Sequence, residues 1–90
     1  MDKIKITTPS KEQITSLDID KWEPWECEPT TFDWQYDEEE WAYVFEGKVK
    51  VKPEQGSEVE IKKGDLVIFP KGLKCTWTVI ETIKKVYTFK

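Results

Sequence analysis

Ninety residues, 38% hydrophobic, 36% charged and 13% aromatic, fit one small folded domain, and a chain this aromatic is not expected to be disordered. It contains no His, Arg or Asn, which excludes a Ser-His-Asp triad, a histidine zinc site, a guanidinium fork for phosphate and an N-glycosylation acceptor. The net charge of −4, with lysine as the only cation, argues against nucleic acid or an anionic membrane surface as partner.

The first stretch holds the helical candidate. Ser10 follows Pro9 and stands three residues before Gln13, the spacing of a capping box. Ile14 and Leu17 then form a short apolar face, so one or two turns from about Lys11 to Ser16 are expected. Beyond Trp22 the period becomes two. Phe32, Trp34 and Tyr36 alternate with Asp33 and Gln35, and Trp41, Tyr43 and Phe45 with Ala42 and Val44. Val49 and Val51 alternate with lysines, Val59 and Ile61 with Glu58, Glu60 and Lys62. This is the strand signature. Pro53 to Ser57 reads as a hairpin loop and Lys63-Gly64-Asp65 as a tight turn. Leu66 to Phe69 is an apolar run suited to a buried strand, ended by Pro70-Lys71-Gly72. Lys74 to Ile80 and Ile83 to Phe89 predict two more strands. Seven or more short strands predict an antiparallel sandwich or small barrel.

Within this pattern, Glu40 precedes Gly47 by seven positions, and Gly64, Pro70 and Gly72 follow at fixed intervals. These points, in register over about forty residues, resemble the two sequence motifs of the cupins. Phe32-Asp33-Trp34, Tyr43 to Gly47, Gly64 to Gly72 and Cys75-Thr76-Trp77 look more narrowly like the cupins related to (S)-ureidoglycine aminohydrolase and to ethanolamine utilisation. The resemblance runs from about Trp22 to Tyr87. It implies an all-β, single-domain cupin: a small antiparallel jelly-roll β-barrel over residues 22–90, preceded by an N-terminal extension, 1–21, with a short helical turn.

The departures from the motifs bear on chemistry. Trp34 and Tyr36 stand where the family has its first two His, Cys75 where it has the third, and Glu28 on the opening Gly. Of four family metal positions only Glu40 keeps its residue, with Cys75 the nearest substitute. A catalytic divalent ion takes about three protein ligands or more, and a Tyr36 phenolate is costly at a reference pKa near 10. No metal and no cofactor is therefore expected. The family enzyme also uses a metal-bearing domain in a two-domain chain, so ureidoglycine hydrolysis itself is not expected.

The resemblance places Trp34, Tyr36, Glu40, Cys75 and Trp77 around the barrel interior. They either line a small pocket or simply fill the space of a metal site. Glu40 is an interior carboxylate, to be paired or shifted upward in pKa, or else the last member of the solvated run Asp37–Glu40. As an interior group it is a candidate general acid or base, with Tyr36 a hydrogen-bond donor and Trp34 and Trp77 shaping the pocket. Cys75 lacks a neighbouring base other than Lys74 and reads better as a small buried hydrophobe. The implied ligand is a small polar molecule: a ureide, an amino-acid derivative or a sugar derivative. A non-catalytic sensing module, or an interaction domain with a filled barrel, are the alternatives.

Met1 to Ile6 carries no apolar signal-peptide core, and no apolar run approaches the roughly 20 residues of a membrane span. A cytoplasmic protein with Cys27 and Cys75 reduced is expected. Trp41, Tyr43 and Phe45 face away from Glu40 and make the strand apolar on both sides. Trp22 and Trp25, flanking Pro24, belong to the core or cover part of that outer face. What remains uncovered predicts a homodimer.

Overall fold

Two long strands organise the structure, β4 (Glu40–Pro53) and β7 (Lys74–Phe89). They pair antiparallel over their whole length, from Glu40 opposite Phe89 to Pro53 opposite Cys75. The computed structural model describes residues 4–90; Met1–Lys3, the start of the expected extension and of the segment read for a signal peptide, lie outside them. Among these residues no helix is long and apolar enough to cross a membrane.

The remaining strands are β1 (Lys5–Thr7), β2 (Glu23–Cys27), β3 (Thr30–Gln35), β5 (Val59–Lys62) and β6 (Leu66–Phe69), all antiparallel. The first half of β4 is flanked by β6, itself edged by β1, and the facing half of β7 is flanked by β2. The second half of β4 pairs with β5, and the facing half of β7 with β3. The molecule is thus predominantly antiparallel sheet in two halves that share the same two strands. Their inner surfaces touch. Trp25 of β2 meets Trp77 of β7 edge-on at 5.9 Å between ring centres, and Phe69 of β6 stacks on Tyr36, just past β3, at 4.6 Å.

The two halves meet at a bulged stretch of the β4–β7 ladder. The register with β7 shifts between Val44 and Val49. Because side chains alternate with period two, a net shift of one residue exchanges the faces of the strand. Glu40, Ala42 and Val44 point inward before the bulge, and Val49, Val51 and Pro53 after it. Gly47 holds the crossover at φ +100°, a conformation open to glycine.

The N-terminal reading holds in detail. The Gln13 N–H donates to Ser10 Oγ at 3.2 Å and the Ser10 N–H to Gln13 Oε1 at 2.8 Å, and α1 (Lys11–Leu17) follows. The turn before β6 also forms: Gly64 takes φ +91°, and the Lys62 N–H donates to Asp65 Oδ2 at 3.0 Å. One expectation is corrected. Lys74 to Phe89 is one strand, not two, since Glu81-Thr82 contains no proline or glycine and the strand runs on through the register shifts against β4. The two neighbouring runs of β4 likewise merge through the bulge.

A side chain at Gly47 has nowhere to go. Its Cβ would collide with the Thr82 carbonyl oxygen and lie 2.6 Å from the Ile83 Cα, both backbone atoms of β7. Gly47→Ala is expected to cost about 3 kcal/mol or more in urea denaturation, from the left-handed backbone and the collision together. A loss below about 1 kcal/mol would mean that the bulge relaxes freely.

Candidate functional site: a buried ion pair in an aromatic cavity

Inward alternation in the second half of β7 runs Ile83, Lys85, Tyr87, which puts a lysine among apolar neighbours. Glu40, the first residue of β4, also points inward. Lys85 Nζ donates to Glu40 Oε2 at 2.9 Å, and both side chains are only 7% exposed. Neither charge could leave water alone without a penalty of several kcal/mol. Together they form a hydrogen-bonded pair of zero net charge.

Aromatic rings complete the ammonium's surroundings. Its nitrogen lies 4.8 Å from the ring centre of Trp77 and 5.0 Å from that of Trp25, with Tyr87 and Phe69 at 5.7 and 5.8 Å. Ring quadrupoles favour a cation at such distances by about 0.5–2 kcal/mol each. Burial acts in the opposite sense and outweighs the attractions, so Lys85 is held below its ordinary pKa of 10.5, with Glu40 pulling it back up.

Beside the pair lies a cavity of about 160 Å³. Trp25, Phe32, Trp77 and Tyr87 form its walls, and Tyr36, Glu40 and Lys85 supply its polar groups. Trp34 and Phe89, each about half exposed, stand at its mouth. Burial pushes the Tyr36 phenol well above its ordinary value, with Glu40 and Cys75 adding to the rise, so it stays protonated as a donor. The buried Trp77 Nε1–H has no hydrogen-bond partner among the described residues. It lies near enough to Tyr36 and Cys75 to favour their ionised forms, yet makes a regular hydrogen bond to neither.

The structure therefore brings Trp34, Tyr36, Glu40 and Trp77 to one cavity. Cys75 is buried but does not line it. Its thiol donates to the Trp34 carbonyl oxygen at 3.7 Å, and burial pushes its pKa up to about 11. Of the two sequence readings of Glu40, it is the interior one that the burial supports; Asp37 and Glu38 alone stay fully in solvent. Lys85, Trp25, Phe32, Tyr87 and Phe89 are the site residues that sequence reasoning missed. The signal for Lys85 was present: it shares the inward phase of Ile83 and Tyr87.

The residues do not fit the divalent metal that the resemblance implies. Glu40 is neutralised by an internal ammonium, Tyr36 and Cys75 are held protonated, and among the described residues no three His, Cys, Asp or Glu converge. Lys85 provides the positive charge that Glu40 requires.

Removing one member of the pair leaves the other buried and unpaired. Lys85→Met is expected to cost about 3–5 kcal/mol in urea denaturation at pH 7. The double variant Glu40→Leu, Lys85→Met removes both charges and should recover most of that loss. A double variant no more stable than Lys85→Met would show that the cost comes from packing and not from charge.

Comparison with known proteins agrees with this architecture. The chain is similar to a DUF861-family protein of Thermotoga maritima at 46% identity and a TM-score of 0.96, over 98% of this chain and 100% of that one. It resembles the EutQ protein of Clostridium difficile at 31% identity and a TM-score of 0.65, over 71% of this chain and half of that one. A DUF861-family protein of Pseudomonas syringae matches at 28% identity and a TM-score of 0.64, over 71% of this chain and 28% of that one. Among curated proteins none matches the chain. The EutQ-like cupin domain matches residues 15–87, which include all of β4, β7 up to Tyr87 and every cavity residue but Phe89. The chain belongs to the EutQ-like cupin domain family.

Proposed function

We propose that the two halves of the sheet form a small cupin barrel whose cavity binds a small uncharged molecule bearing a carbonyl or amide oxygen. Trp77 lines the cavity, and its buried Nε1–H, without a partner among the described residues, carries this reading. An unsatisfied buried donor costs about 1–3 kcal/mol, which an acceptor atom on a ligand would relieve. The volume, about 160 Å³, is close to that of a cavity known to admit benzene, about 150 Å³. A ligand charge would be uncompensated, because Glu40 and Lys85 already cancel. Among the classes implied by the resemblance to cupins related to (S)-ureidoglycine aminohydrolase, a ureide or amino-acid amide suits these walls better than a sugar derivative, whose hydroxyls outnumber the polar groups. Glu40 and Tyr36 are the residues to exchange a proton with such a ligand or to donate to it. Trp34 and Trp77 shape the pocket, and the Cys75 thiol donates to the Trp34 carbonyl oxygen. In this reading residues 22–90 are the barrel and 1–21 an extension, in a cytoplasmic protein with free Cys27 and Cys75.

Methylurea, propionamide and hydantoin are suitable probes. At least one is expected to shift the Trp77 indole N–H resonance saturably. Trp77→Phe, which keeps a ring but removes the donor, should weaken binding about tenfold, the equivalent of about 1.4 kcal/mol. If none of the three moves that resonance, the cavity is not a site for such ligands.

A second surface supports self-association. Trp25, one of the two residues able to cover the outer face of β4, turns into the cavity instead. Trp41, Tyr43, Ile68 and Val86 stay half-buried on that outer face and Phe45 is 43% exposed. We propose that a second copy covers them, through identical patches about a two-fold axis. Light scattering at micromolar concentration should give twice the monomer's 10.7 kDa. A monomer mass would contradict the dimer.

A further inference from the structure

We propose that Lys85 is an amine nucleophile, and that small uncharged aldehydes or ketones entering the cavity condense with its Nζ to form an imine, Glu40 carrying the protons. The inference rests on the cavity being a ligand site, as proposed above, and adds a covalent step to it. Four observations support it. Lys85 lines the cavity and is the only amine among its lining residues; Cys75, the nearby thiol, is not among them. Glu40 Oε2 stands 2.9 Å from the nitrogen, close enough to take and return a proton directly. Trp77 Nε1–H, which has no partner, and the Tyr36 phenol are donors able to hold a carbonyl oxygen. The remaining walls are aromatic rings that offer nothing to a charged substituent. Burial, by holding Lys85 below its ordinary pKa, adds to the share of reactive free amine.

The step balances without an oxidant or reductant. Glu40 takes a proton from the Lys85 ammonium, and the freed nitrogen lone pair forms the N–C bond while the carbonyl π pair moves to oxygen. Glu40 returns the proton to that oxygen and then takes a second one from nitrogen. On giving this proton to the hydroxyl, it releases the hydroxyl as water, and the nitrogen lone pair closes the C=N bond. The products are a cationic imine on Lys85, an ionised Glu40 and one water, with the pair's net charge unchanged.

The test is reductive trapping on the full chain. The protein is treated at neutral pH with limiting isobutyraldehyde and sodium cyanoborohydride, and each lysine is followed by peptide mass spectrometry. Lys85 is expected to be alkylated at least tenfold faster than the exposed lysines. Isobutyramide, an unreactive neutral analogue, should slow labelling at Lys85 alone. Glu40→Gln should reduce labelling at Lys85 about tenfold and leave the other lysines unchanged. Because that variant can fail to fold, the isobutyramide competition provides the same discrimination in the unmodified chain. Lys85 labelling no faster than the exposed lysines would overturn the inference. If isobutyramide still shifts the Trp77 indole resonance in that case, the binding site stands and the nucleophile does not. If it shifts nothing, both readings fail. Faster trapping by glyoxylate than by isobutyraldehyde would overturn the restriction to uncharged carbonyl compounds.

Discussion

A carboxylate and an ammonium that have both left water must find each other, and the interior of this protein is arranged around the place where Glu40 and Lys85 do so. The two residues lie 45 positions apart, on the first turn of inward side chains of β4 and in the second half of β7. Their meeting therefore requires that the long strands be in register. A slip of one residue would turn either side chain to the outer face, where the charge is at no cost hydrated. The pair thus selects register as well as occupying the core. The bulge at Gly47 has a complementary effect: it turns the strand's inward face from even to odd positions, so that Val49 and Val51 close the other half of the core.

The same constraint explains the aromatic content. A neutral pair in an aliphatic core would be held by Coulomb attraction alone. Here Trp25 and Trp77 lie within about 5 Å of the ammonium, so the rings solvate the cation while excluding water. The exclusion is incomplete on one side, where the rings leave a cavity open between Trp34 and Phe89. Polar groups at the base of an apolar, accessible cavity are the usual arrangement of a small-molecule site. The family resemblance gives the arrangement a context. Glu40, which keeps the residue that the resemblance expects, faces a lysine, while Trp34 and Tyr36 line the cavity and the Cys75 thiol donates to the Trp34 carbonyl oxygen.

Much of this was legible in the sequence. The capping box at Ser10 and Gln13, the turn at Gly64-Asp65 and the shared face of Glu40, Ala42 and Val44 follow from local chemistry and period-two alternation, while that this face points inward was implied only by the family resemblance. The bulge was also written in the pattern, since Ala42 and Val44 are even and Val49 and Val51 odd, though a phase change becomes a bulge only when its partner strand is known. Lys85 escaped because a lysine is ordinarily a solvent residue and only its partner makes it an interior one. That partner is non-local. Trp25 was undecided for a related reason: β2 has two faces, and the sequence does not state which faces the sheet's interior. The continuity of β7 was missed because the apolar pattern lapses at Glu81-Thr82, where the strand continues although its register with β4 shifts.

The central claim is that Lys85 is an interior ammonium shielded from water, bound to Glu40 beneath aromatic rings. A proton titration of the lysine Cε and Hε resonances by NMR, with Lys85 assigned by substitution, addresses it directly. Fourteen lysines share the spectrum, and Lys85 differs from the exposed ones in its burial beside aromatic rings. Lys85 is expected to separate from them, with a distinct shift from ring currents and a midpoint clearly lower. A Lys85 signal that moves with the exposed lysines, at their midpoint and without a ring-current shift, would contradict it.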